Sequence, residues 1–222
     1  MDSITENSKI ILQTAKDTVE SFFKMYEEID DNENKKQDLL RAIILFSCSG
    51  IDAVIKQLIN DALETIIMID DGAENNFKSF VEKKIKNNIE NNNSKLLSEI
   101  FTSDKKPKET LIQVLKKELT ANSLQSAEEL SRVASFFNIK TMNIEDIKKV
   151  FYVRNQITHE MDIDMDSENL NRRVRNKEQV KEYSRKIFEL AEHYIKDVDK
   201  KLKPVFEQIL SKIDSNPNDN ML

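Results

Sequence analysis

Apolar residues recur along most of this chain at three- and four-residue intervals, the spacing of one face of an α-helix. Ile4, Ile11, Ala15, Val19, Phe22 and Phe23 form the first such stripe, and Ser3 with Glu6 is placed as a capping box at its start. After a polar break at residues 30–34, a second helix is predicted over 35–70, ~50 Å long. Its apolar positions, from Leu39, Leu40, Ile43 and Ile44 through Leu58, Ile59, Leu63, Ile66 and Ile67, cover nearly the whole circumference. A helix of that kind is either central to the fold or shared between subunits. Its Ser47-Cys48-Ser49-Gly50 segment is small enough to let another helix approach closely, and Gly72 is read as its C-terminal stop.

Residues 73–125 read as a more polar helical insert. Phe77, Phe80, Val81 and Ile85 mark a short amphipathic helix, and the asparagine-rich stretch 87–93 reads as a mobile loop. Pro107 fits the first turn of another short helix carrying Leu111, Ile112, Val114, Leu115 and Leu119. Ser126 and Glu129 form a capping box for a helix through Phe137, and Asn143 is placed to cap the next, which carries Ile144, Ile147, Val150 and Phe151. Residues 161–176 are charged and irregular, hence a loop. The last helix is predicted over 177–213 with a kink at Pro204, and 214–222 as a disordered tail.

Composition sharpens this into an all-α fold. Two Gly and three Pro in 222 residues are too few for a turn-rich β architecture. The expected fold is a single-domain, elongated helical bundle with two long apolar helices and a shorter one between them. The single Cys48 rules out an internal disulfide and fits a reduced compartment. No uninterrupted apolar run approaches the ~20 residues that span a bilayer, so a cytoplasmic protein without a membrane partner is expected. The net charge of -6 disfavours a general nucleic-acid coat but leaves room for a nuclease with a local basic site.

Candidate chemistry concentrates in Arg154-Asn155-Gln156-Ile157-Thr158-His159. Arginine grips phosphate through two parallel hydrogen bonds, and histidine exchanges protons near neutral pH. Together they suit RNA cleavage, with His159 moving a proton and Arg154 stabilising charge on phosphorus. RNA carries its own 2′-hydroxyl nucleophile, so neither a metal nor another cofactor is needed. On an ideal helix Arg154 and His159 diverge by about 140°, whereas Asn155 and His159 share a face, as do Arg154 and Thr158. Asn155 is therefore placed to orient the imidazole. Arg154 joins the same pocket only if the helix unwinds near His159 or a second copy completes the site.

The motif, preceded by the apolar stretch 147–153, resembles the catalytic signature of the HEPN superfamily (higher eukaryote and prokaryote nucleotide-binding), in its RNase-toxin-like branch. The similarity spans residues 1–213, with Arg154, Asn155 and His159 as its specific part. It implies a homodimeric helical bundle whose two motifs face a shared cleft, and metal-independent cleavage of an RNA substrate. It further implies a toxin–antitoxin or antiviral abortive-infection setting, hence an antitoxin or defence-system protein as partner. A polar residue on the long helix is also implied, and Asp52 is the candidate for it. Two positions depart from the family. Glu160 stands where many relatives have glycine, either crowding the site or adding a polar group. Met161 stands where one subgroup has a tyrosine, so control by tyrosine modification is not expected there.

Other signals resolve against metals. Residues 162–166 alternate like a calcium loop, but Ser167 and Arg173 occupy the positions that need Gly and Glu. His159-Glu160 begins a zinc-protease motif whose second histidine is replaced by Ile163. Glu189 and His193 are four apart, not the three of di-iron bundles, and His193 reads as structural. Arg172, Arg173 and Arg175 form the densest basic cluster outside the motif, either a solvated loop or a contact for the RNA backbone. Tyr152 is expected to be buried beside Phe151, with base stacking as the alternative. The rival reading of the whole chain is a catalytically silent helical dimer that binds nucleotide or a protein partner.

Overall fold

A computed structural model describes residues 4–140 and 144–214. Ser3, Asn143 and the tail beyond Asp214, for which caps and disorder were expected, lie outside the described residues. Among the described residues the fold is an elongated all-α bundle of eight helices: α1 (Glu6–Glu28), α2 (Glu33–Ile69), α3 (Asp71–Glu90), α4 (Lys95–Thr102), α5 (Pro107–Thr120), α6 (Ala127–Phe137), α7 (Ile144–His159) and α8 (Lys177–Asp214). Among the described residues there is no strand, only an isolated antiparallel bridge between Ile163 and Arg172.

Helix α2 is central. It packs against α1, α3, α5, α6, α7 and α8, which explains why its apolar residues go all the way round. Its length and composition would suffice to cross a bilayer, although no single apolar run in the sequence is that long. The flanking helices supply the apolar environment instead: Leu40, Ile51, Val54, Ile55, Leu58, Ile59 and Leu63 are all fully buried. The small-residue segment works as expected on two sides. Ser47 Oγ donates to Ile43 O at 2.8 Å and lies 2.9 Å from Ser184 Oγ of α8. On the α1 side, a β-carbon at position 50 would sit 2.7 Å from Cβ of Ala15. Gly50→Val is accordingly expected to cost about 1–3 kcal/mol by forcing α1 away, read as a lower urea midpoint. An unchanged midpoint would mean that the two helices do not touch there. Between these contacts, burial pushes the Cys48 thiol up to about 12 against the opposing charge of Arg154, so it stays a protonated packing group.

The stop after α2 is not Gly72. Asp70 leaves the helix in an extended conformation and serves as C-cap of α2 and N-cap of α3, its Oδ1 accepting from Ala73 N at 2.9 Å. The same oxygen accepts from Asn138 Nδ2 at 2.8 Å. Gly72 lies inside α3, where a β-carbon would come within 2.2 Å of that Asn138 nitrogen. Its role is to make room for the amide of Asn138, the left-handed C-cap of α6.

Asn87–Glu90 is also helix, the end of a 20-residue α3 rather than a loop. Asparagine side chains stabilise this last turn by bonding back to carbonyls, Asn88 Nδ2 to Lys84 O at 2.9 Å and Asn91 Nδ2 to Asn87 O at 2.8 Å. Helix α4 follows, an element the periodicity did not reveal, with only Leu96 buried. The insert as a whole adds to the main core, since Phe77, Phe80, Ile112, Leu115 and Leu119 join the cluster around α2. Pro107 opens α5 as expected. Ser126 Oγ accepts from Glu129 N at 3.1 Å, while the Glu129 carboxylate turns to Arg132 instead of closing the box. Pro204 lies within α8. His193 is structural, with Nε2 2.8 Å from Lys140 O and 3.5 Å from Asp197.

Candidate functional site at the end of helix α7

Helix α7 divides cleanly into two faces. Ile147, Val150, Phe151, Val153 and Ile157 are buried at helical spacing, and they fix the rotation of everything else. Lys148, Lys149, Tyr152, Asn155, Thr158 and His159 are exposed. Tyr152 is 64% exposed, contrary to its expected burial beside Phe151. The reason is rotational: Phe151 follows the inward positions 147 and 150, and the next residue is carried outward by about 100°.

Arg154 lies half-buried between the faces and donates through Nη1 to Asn155 Oδ1 at 2.9 Å. Thr158 Oγ1 donates to Arg154 O at 2.9 Å and so braces the helix backbone. Asn155 thus orients the arginine, not the imidazole. Among the described residues, no hydrogen bond joins His159 to Arg154 or Asn155. The helix stays regular through His159, so unwinding does not bring the arginine and histidine together in one chain.

The chain then reverses sharply. Glu160 N and Asp162 N both bond Gln156 O, at 3.1 and 2.9 Å, and Met161 and Asp162 adopt φ of 53° and 60°. Two successive non-glycine residues in the left-handed region are strained by about 1–2 kcal/mol each. A buried network holds them there. The Asp162 carboxylate has 0% exposure and accepts from Arg41 Nε at 2.7 Å, Arg175 Nε at 3.1 Å and Arg175 Nη2. Arg175 Nη2 also donates to Gln156 Oε1 at 3.1 Å, which ties the network into the motif itself. Gln37 holds the returning loop through both backbone groups of Arg175, at 2.7 and 3.0 Å, and Arg41 donates to Arg173 O at 2.8 Å. Asp162 is the residue shaping this helix end that sequence reading missed. A signal existed, because Arg41 interrupts the apolar run of α2 and a buried arginine needs a carboxylate.

The basic cluster is folded back on the protein. Arg175 belongs to the buried network, Arg173 donates to Glu160 at 3.0 Å, and Arg172 donates to Asp38 at 2.6 Å. Glu160 is thereby turned toward the loop. Asp52 lies outside any hydrogen bond with the motif. It accepts from Leu124 N at 2.6 Å and pairs with Lys56 at 2.9 Å, which anchors the segment leading into α6. The structure therefore brings together Arg154, Asn155, Thr158 and His159 on one helix end, with Glu160 and the three loop arginines braced behind it. In comparisons with known proteins the chain matches no family model, no curated protein and no solved structure.

Proposed function

We propose that this protein is a metal-independent endoribonuclease, and that its site is completed by a second copy of the chain. The observation that carries the reading is the pairing of Arg154 with Asn155 one turn before a solvent-facing His159, on a helix end that a buried network keeps rigid. His159 takes the proton of the ribose 2′-hydroxyl as the 2′-oxygen bonds to phosphorus. The bond from phosphorus to the 5′-oxygen breaks, and that oxygen leaves with a proton taken from water. Arg154, steadied by Asn155, holds the phosphate oxygens as they gain charge. The divergence of Arg154 and His159 within one chain favours two facing copies. Met161, Met165, Leu170 and Val174 support this, since the loop after His159 leaves all four apolar side chains exposed. An enzyme of this kind acts as a toxin or an abortive-infection effector, restrained by an antitoxin or another defence-system protein.

The test is incubation of the purified protein with mixed cellular RNA in EDTA. Fragments bearing 2′,3′-cyclic phosphate and 5′-hydroxyl ends are expected. Intact RNA across a range of protein concentrations would overturn the proposal and leave a helical binding protein in its place.

A further inference from the structure

The segment between residues 83 and 117 carries a charge of its own. It holds nine lysines, no arginine and four acidic residues, in a chain whose net charge is -6. Lys83, Lys95, Lys105, Lys106 and Lys117 are exposed and form no ion pair among the described residues. Helix α4 lies in the middle of this segment and packs chiefly on α3 and α5, whereas the motif helix α7 packs on α2, α6 and α8. Leu96 anchors α4 inward. Leu97 and Phe101, four residues apart, share a face, on which Leu97 is half-buried and Phe101 is 83% exposed. Ile89, in the last turn of α3, is 63% exposed. The other side of α4 is polar. The open cavity beside it is lined by residues such as Asn91, Asn93, Lys95, Ser98, Glu99 and Lys117, and by no apolar side chain.

We propose that α4 and the lysines around it form a docking surface for an anionic lipid bilayer, with Phe101 and the edge of Leu97 entering the headgroup layer and the unpaired lysines meeting lipid phosphates. Three features favour a bilayer over other acidic partners. A protein partner needs a pocket for its apolar anchors, and the cavity here is polar throughout. A nucleic acid offers nothing to Leu97 or Ile89, and its phosphates and bases draw arginine, which is absent from the segment. A fluid bilayer needs no pocket, because the protein's own apolar side chains insert and lysines act on it as point charges. An apolar anchor with a basic patch supplies the two signals that hold a protein at a membrane surface. Such docking uses no spanning segment, so the shortness of the apolar runs does not bear on it. None of these residues belongs to α7 or its loop, and the surface stands apart from the ribonuclease reading.

The chain has no tryptophan, so Phe101→Trp places a single indole at the proposed point of entry. Its emission is expected to shift to the blue on addition of vesicles of phosphatidylcholine and phosphatidylglycerol in equal parts, and to stay unchanged with phosphatidylcholine alone. In co-sedimentation of the full chain with the mixed vesicles, Phe101→Ser should weaken binding by roughly 10-fold or more. Lys105→Ala combined with Lys106→Ala should weaken it by roughly 25-fold, about 5-fold per lysine, and added salt should act in the same direction. All three side chains are exposed, so the urea midpoints of the variants should match that of the parent. No blue shift with the mixed vesicles, equal binding to neutral and mixed vesicles, or variants that sediment like the parent would overturn the inference. So would a blue shift with polyglutamate or mixed RNA and none with vesicles, which would assign the surface to an acidic protein or to nucleic acid. RNA cleavage in EDTA reports on the ribonuclease reading alone, and neither result decides the other.

Discussion

Asp162→Ala is expected to destabilise the fold by about 3–5 kcal/mol, a large part of what a domain of this size has to spare. The carboxylate is wholly buried between Arg41 and Arg175, whose side chains are themselves only 6% and 10% exposed. Removing it leaves two guanidinium groups facing each other out of water, so the cost includes their repulsion as well as the lost hydrogen bonds. The left-handed turn at Met161–Asp162 also loses what holds it. Urea unfolding followed by far-UV circular dichroism measures the change. A loss below about 1 kcal/mol would mean that the network is not a stabilising one. Replacing all three partners together, as Arg41→Met, Asp162→Leu and Arg175→Met, should recover much of the deficit, because apolar side chains of similar size need no partner.

His159→Ala should show the opposite signature. RNA cleavage is expected to fall about 10²–10⁴-fold, the usual contribution of a positioned acid or base. Stability should stay within about 0.5 kcal/mol, since the side chain is exposed and supports no packing. Gel analysis of RNA products in EDTA gives the rate, and the urea midpoint gives the stability. Undiminished cleavage by this variant would eliminate His159 as the proton-transfer residue. The two variants together separate the chemistry from its scaffold: one loses activity in a sound fold, the other loses the fold that presents the activity.

Much of the helical framework was legible because it is local. The period of the apolar residues places α2 over 35–70 against the observed Glu33–Ile69, and α8 from Lys177 onward. Pro107 and Ser126 announce their helices by chemistry confined to a single turn. What stayed hidden depends on partners far along the chain. Asp162 meets Arg41 across 121 residues, and no window of sequence contains both. Gly72 reads as a stop because helix-ending glycine is common, yet its actual constraint is the amide of Asn138. The exposure of Tyr152 follows from the rotation of α7, which only packing against the core decides. For the candidate site, the residue types were visible in the motif, but the bond from Arg154 to Asn155 and the diversion of the loop arginines required the fold.

The centrality of α2 has a consequence for biosynthesis. Its main coverings are α1, made just before it, and α8, which begins 108 residues after it ends. At about 5–20 residues per second, that interval lasts roughly 5–20 s. Throughout it, a helix apolar on every side has only one of its two longest neighbours available on the ribosome. The tight seat of α1 on Gly50 is therefore the early shield of the nascent chain. A bulkier residue there should appear first as aggregation during expression, before any change in the finished protein is measured.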